Sequence, residues 1–306
     1  MRILPTATLL IFSLMIVPAV SYFFGVGLEP TAMQALKTVV MIVSLVIGLC
    51  FVIGEMTGNV SQTDKLWSLM PIVYTWTVAW FGGFSPRLVL MGLLVTIWGL
   101  RLTYNFAKKG GYHWKFWTGN EDYRWRVLRD KPEFRSRWRW TAFNLFFIAG
   151  YQNLLVLLIT LPSVVALNSN TVPLGMLDYA IAIVMLGLIV FEAIADKQQW
   201  DFQVRKRATI LAADESKAET GKGFLDKGLW AWSRHPNYFA EQAIWISFYF
   251  FSVSASGQWI NWTILGALLL ILLFRGSSAF SEEISAGKYS EYADYQQRVS
   301  RFLPLP

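Results

Sequence analysis

The chain has 306 residues, 55% hydrophobic, 16% aromatic and only 15% charged, with a net charge of +7; this excludes an ordinary soluble domain and points to a polytopic membrane protein. A single cysteine, Cys50 inside an apolar run, excludes a disulfide framework and thiolate metal cages, and two histidines, His113 and His235, leave no His-rich metal site, so no metal is expected. In a soluble chain the positive charge would suggest nucleic acid. Here the basic residues gather in loops between apolar spans, as the positive-inside rule places them, and no nucleic-acid partner is expected.

Taken in order, the first span runs from about Thr6 to Gly27 and reads as an anchor, too long for a signal peptide and without a small-residue cleavage site. A second covers about Leu36 to Gly54, followed by Glu55 and the polar GNVSQTDK segment. A third, Leu66 to Phe81, starts directly after Asp64 and Lys65, and Pro86 opens a fourth that continues through Trp98 and Arg101 to about Phe106. The segment Arg101 to Arg139 is the most basic part of the chain, with eleven Lys/Arg against four acids and four tryptophans, and belongs at the cytoplasmic membrane surface. The fifth span, about Trp140 to Val165, carries Asn144, Gln152 and Asn153, amides of the kind that join helices.

After the uncharged LNSNTVPLG loop, the sixth span covers about Met176 to Ile194 and ends in FEAIADKQQW, where Glu192 and Asp196 stand four apart on one helical face. A more polar stretch, Arg205 to Lys227, leads to the motif GLWAWSRHPNYFAEQAIW at Gly228 to Trp245, which opens the seventh span; the eighth covers about Ile260 to Phe274 and meets Arg275. Tyr289, Tyr292, Tyr295, Val299 and Phe302 recur at helical spacing, as in an interfacial helix. The fold class is therefore all-α, a transmembrane bundle of seven or eight helices with a C-terminal interfacial helix, both termini cytoplasmic.

Within the motif, Ser233 is a suitable N-cap and Pro236 suits a first helical turn. Asn237 and Glu241 then share one face near the positive end of the helix dipole. A carboxylate one turn inside an apolar helix costs several kcal/mol unless it is paired or faces a polar cavity. With Arg234 and His235 just before it, this helix start suits an anionic or phosphate-bearing ligand. A capped helix whose Arg234 and His235 rest in lipid headgroups is the alternative.

The SRHPNYFAE core, with GLW before it and a Trp after it, resembles the signature of the steroid 5α-reductase family and its bacterial relatives. The likeness extends through EAIADKQQW, the GLLVTIWGLRLTYNF helix end, Asp64 and the YSEYADYQQRVSRFLP tail. It divides the chain into N-terminal transmembrane helices, residues 1–60, and a reductase-like domain, residues 61–306. The RHPNYF core is also similar to that of the membrane isoprenylcysteine methyltransferases, which share an acidic pair like Glu282 and Glu283.

The resemblance implies an NADPH-dependent oxidoreductase that reduces a conjugated double bond in a lipophilic substrate; a monomer embedded among the membrane lipids of a bacterial inner membrane is expected. Its cofactor-holding positions fall on Glu192, Asp196, Asn237, Glu241 and Arg275, with Arg101, Arg234 and His235 completing the cradle on the cytoplasmic side. The carboxylate that engages the substrate carbonyl falls on Asp64, its aromatic partner on Trp98, and Tyr104 is a further catalytic candidate. Trp98 stands where the steroid enzymes have a Tyr, Glu192 where an amide is common, and the His and Tyr that follow the last-span Arg in those enzymes have no counterpart around Ala279 and Glu283.

The chemistry fits the residue types. Hydride attack on an enone builds negative charge on the carbonyl oxygen, so a proton donor belongs there, and a buried carboxyl with a raised pKa can serve. No GxGxxG occurs, so a nicotinamide site here is not of the Rossmann kind. An S-adenosylmethionine-dependent methyltransferase, and a scaffold that has lost its chemistry, are the alternatives.

Overall fold

A computed structural model describes residues 15, 19–20, 23–25, 27–211 and 222–304. The anchor expected over Thr6 to Gly27 lies almost wholly outside the described residues. Among those residues the architecture is all-helical and holds no strand; one isolated backbone bridge joins Ser233 to Ser300. The helices are α1 (Pro30–Thr57), α2 (Gln62–Trp67), α3 (Met70–Phe81), α4 (Pro86–Lys108), α5 (Tyr123–Arg129), α6 (Arg137–Asn168), α7 (Met176–Leu211), α8 (Pro236–Ser256), α9 (Ile264–Lys288) and α10 (Tyr292–Arg298).

Five of these, α1, α4, α6, α7 and α9, are long and apolar enough to cross a membrane, which suits an integral membrane protein. The other two described spans of the sequence reading fall short for different reasons. α3 has 12 residues, about 18 Å of helix against roughly 30 Å of hydrocarbon. It does not continue from α2 because Pro71 in its first turn has no N–H with which to extend the ladder. α8 has the length, but its first half carries Asn237, Glu241 and Gln242.

The chain forms two compact units, one of Met1–Met185 with Trp245–Leu270, the other of Leu186–Ile244 with Ile271–Pro306. Inside the first unit α1 packs on α3 and α6. α1 starts with Pro30 at its first position and stops at Gly58, whose φ of 68° reverses the chain as a helix C-terminus requires. α3 packs closely on α4, and Gly99 permits it: a Cβ there would lie 2.5 Å from the Ser68 carbonyl.

α6 is not a uniform helix. Residues Asn144–Tyr151 form a π-helical segment, a wider turn that changes which carbonyls are available to other elements. The Thr63 hydroxyl donates to the Ile148 carbonyl at 3.2 Å, Asn153 donates to Thr63 at 3.3 Å, and Asn144 donates to Glu55 at 2.8 Å. Asn144 and Asn153 therefore join helices, as expected from the sequence. Elsewhere in the same unit Arg87 grips Asp178 through Nε and Nη2, both at 2.9 Å, and also donates to the carbonyls of Val172 and Pro173; both side chains are buried.

In the second unit the C-terminal segment departs from the expected interfacial helix. α9 continues past Phe274 to Lys288, α10 lasts seven residues, and Val299 is extended. Tyr292 and Tyr295 are buried, their ring centroids 5.0 and 5.2 Å from that of Phe224. An apolar helical face reads the same whether protein or lipid covers it, and here protein covers it.

Candidate functional site

The second unit joins two of the polar faces read from the sequence. On α7, Glu192 and Asp196 lie one turn apart; on α8, Asn237 and Glu241 do the same. Asn237 Nδ2 donates to Asp196 Oδ1 at 3.2 Å, and Phe191 meets Phe239 edge-on at 6.1 Å, so the two faces oppose one another. Glu192 and Glu241 are each only 4% exposed. This combination of carboxylates and an amide suits hydroxyls and carboxamides, the groups of a ribose or a nicotinamide.

The start of α8 is organised differently from the sequence expectation. His235, not Ser233, is the residue that precedes the helix and accepts its first backbone bond, from Phe239 N at 3.0 Å. Ser233 Oγ accepts from His235 N instead, at 3.2 Å. Arg234 and His235 are buried and converge on Glu282: Arg234 Nε donates to Oε1 at 2.7 Å, His235 Nε2 lies 3.0 Å from the same oxygen, and Gln296 donates to Oε2 at 2.9 Å. Arg234 also donates to the carbonyls of Gln296 and Val299, while its backbone N–H bonds to Ser300 O and that of His235 to Arg301 O. The anion at this helix start is thus supplied by the chain itself, and the Arg-His pair binds the tail. Arg275, by contrast, is exposed.

Further contacts brace the same turn. Leu229 N donates to Gln198 at 3.0 Å and Trp230 Nε1 to Ala195 O at 3.1 Å, fixing the first residues of the motif to α7. Tyr295 OH donates to Trp230 O. Sequence reasoning named Glu282 only as part of an acidic pair. Its partners lie 47 and 48 residues away, and no local spacing connects them.

In the first unit, Asp64 lies half-buried on α2, and its Oδ2 accepts from Trp125 Nε1 at 2.8 Å. Burial raises the Asp64 pKa, and the neighbouring Asp122 charge raises it further against the pull of Arg124 and the Trp125 bond. Burial would raise Asp122 too, but Arg124 more than offsets it and brings that carboxyl below the usual range. Asp122 caps α5, accepting from Arg124 N at 2.9 Å. The pair therefore divides its roles: Asp64 holds a proton more tightly, and Asp122 stays ionised.

Trp98 is fully buried and meets Trp245 edge-on with ring centroids 4.9 Å apart. Tyr104 is 65% exposed and carries Lys108 over its ring at 4.9 Å, so it does not share the inward face of α4. That face continues instead from Trp98 through the half-buried Arg101 to Asn105, which is buried. Asn105 stands four residues after Arg101 and seven after Trp98, a spacing that could have singled it out. Lys65 was also missed: it is fully buried, and burial lowers its pKa.

The family described as "Protein of unknown function (DUF1295)" matches residues 50–299. An uncharacterized protein of Schizosaccharomyces pombe is 36% identical over 274 residues, covering 84% of this chain and 78% of its own. No solved structure matches the chain. The matched range takes in Asp64, Trp98, the polar faces of α7 and α8, and Glu282. On the extent of that match, the chain belongs to the DUF1295 family, whose description assigns no function.

Proposed function

We propose that the protein is a membrane reductase using NADPH to reduce a carbon–carbon double bond conjugated to a carbonyl in a lipophilic substrate. The single observation that carries this reading is the Asp196–Asn237 contact, which gathers the buried Glu192 and Glu241 with an amide on facing helices. The residues fit the group in two ways. Carboxylates and an amide bind ribose hydroxyls and a carboxamide, and the exposed Arg275 is a cation for a phosphate.

NADPH, when bound, supplies a hydride to the double bond. Asn237 and Glu241 orient the cofactor from α8, and Glu192 and Asp196 from α7. Asp64, whose proton burial holds more tightly, is the acid that neutralises charge developing on the substrate oxygen. Trp98 shapes the apolar surroundings; its indole carries one N–H and transfers no proton. Arg234 and His235 act by holding the start of α8 rather than by touching phosphate. The cofactor residues face the cytoplasm in this reading, and a bacterial inner membrane suits it.

One observation favours a second reading. Because Glu282 takes Arg234 and His235, less positive charge is left for a dinucleotide, which suits S-adenosylmethionine, a ligand without phosphates. Melting in mild detergent with each ligand separates the two. Ligand at a hundred times its dissociation constant adds about 2.7 kcal/mol. A shift with NADPH alone, absent in Glu241→Gln, is expected; a shift with S-adenosylmethionine alone transfers the site to methyl transfer, and no shift with either defeats both.

A further inference from the structure

The loop between α4 and α5 displays aromatic side chains that nothing in the proposed chemistry uses. His113, Trp114, Lys115, Phe116 and Trp117 form an unbroken exposed run, with Trp114 95% and Trp117 51% exposed. This exposure is not the looseness of a free loop. Four successive carbonyls are fixed from the Asn59–Lys65 segment: Lys65 Nζ donates to Phe116 O at 2.9 Å and Thr118 O at 2.6 Å, Gln62 to Trp117 O at 3.0 Å, and Asn59 to Gly119 O at 3.0 Å. Tyr112 OH donates back to Lys65 O at 2.6 Å. A buried lysine and two amides thus hold the loop backbone while Trp114 and Trp117 stay displayed and the Phe116 ring leans on Tyr112.

The charge around the run is one-sided. Lys109 and Lys115 are exposed, whereas the two acids that follow are engaged within the chain, Glu121 with Arg129 at 3.0 Å and Asp122 with Arg124 at 2.9 Å. The loop also follows directly from α4, a helix apolar enough to span a membrane, and precedes α6, another such helix. Tryptophan and lysine at that position suit the boundary between apolar tails and anionic headgroups.

We infer that the His113–Trp117 run is a preformed contact with an anionic phospholipid surface, held in shape by Lys65, Gln62 and Asn59. The rings enter the headgroup layer and the lysines meet its phosphates and carboxylates. The inference does not depend on the reductase reading.

Cys50 is the only cysteine and is buried, so Trp114→Cys offers a unique accessible thiol for an environment-sensitive dye. The labelled full chain is compared in nanodiscs of phosphatidylcholine alone and of phosphatidylcholine with phosphatidylserine. Blue-shifted emission in the anionic discs is expected, with the shift lost in high salt and in a Lys109→Glu, Lys115→Glu background. Water-like emission in both discs, or the same shift in both, overturns the inference, as does a shift that appears only on raising protein concentration. Because Trp114 is almost fully exposed, its replacement leaves folding intact, which an unchanged melting temperature checks.

Discussion

Arg234 donates to Glu282 at 2.7 Å across 48 residues of chain, and the same carboxylate receives His235 and Gln296. One buried anion thereby fixes the start of α8 to α9 and to the C-terminal segment. The most distinctive dipeptide of the motif is a clasp.

Its removal should be costly. Glu282→Ala leaves the guanidinium of Arg234 buried and uncompensated, which costs about 3–5 kcal/mol. Arg234→Met combined with Glu282→Leu removes both charges and should cost less than Glu282→Ala alone. Thermal melting of these two variants beside the parent protein in detergent measures this; wild-type melting of Glu282→Ala would show that the clasp contributes little to stability.

Asp64 gives a pH prediction with a definite sign. Its folded pKa lies above its unfolded value, so the folded state binds the proton more tightly and stability falls as pH rises. The stabilising contribution is full below the unfolded value of about 3.9 and is lost as pH passes the folded value. Asp64→Asn should flatten this limb. Melting temperature against pH for the two proteins decides it, and parallel curves would contradict the assignment.

The Arg87–Asp178 pair predicts a failed conservative exchange. Arg87 makes two bonds to the carboxylate and two to carbonyls. Lysine has no planar fork to reproduce that set. Arg87→Lys should therefore lower the melting temperature nearly as far as Arg87→Ala, each by about 3–5 kcal/mol in stability. Full rescue by lysine would mean that charge alone matters there.

Gly99 tests the packing of α3 on α4, with Gly187 on α7 as a control. A Cβ at Gly99 would fall 2.5 Å from a backbone oxygen, while one at Gly187 meets nothing within 4 Å. Gly99→Ala should cost about 1–3 kcal/mol. Gly187→Ala should be neutral or slightly stabilising, since alanine is the better helix former. Equal melting temperatures would mean that the helices part without cost.

The helical faces were legible because they depend on short spacings. Glu192 with Asp196, and Asn237 with Glu241, announce themselves four residues apart, and the Asp196–Asn237 bond joins them. The spacing did not distinguish Tyr104, which is exposed on α4, from Asn105, which is buried. Lys65 escaped notice because a lysine beside an aspartate reads as an exposed helix start. Only the loop that supplies its carbonyls makes its burial affordable.

By itself the sequence determined an all-helical, membrane-compatible chain and the polar faces of α7 and α8, because hydropathy and helical periodicity are local properties that composition and spacing express directly. Only the tertiary structure decided that Arg234 and His235 serve Glu282, that Tyr292 and Tyr295 are covered by protein, and that the Asn59–Lys65 segment holds a displayed aromatic loop. Each of these depends on which distant residue supplies the partner, and a buried charge or ring is satisfied by whatever the fold brings to it.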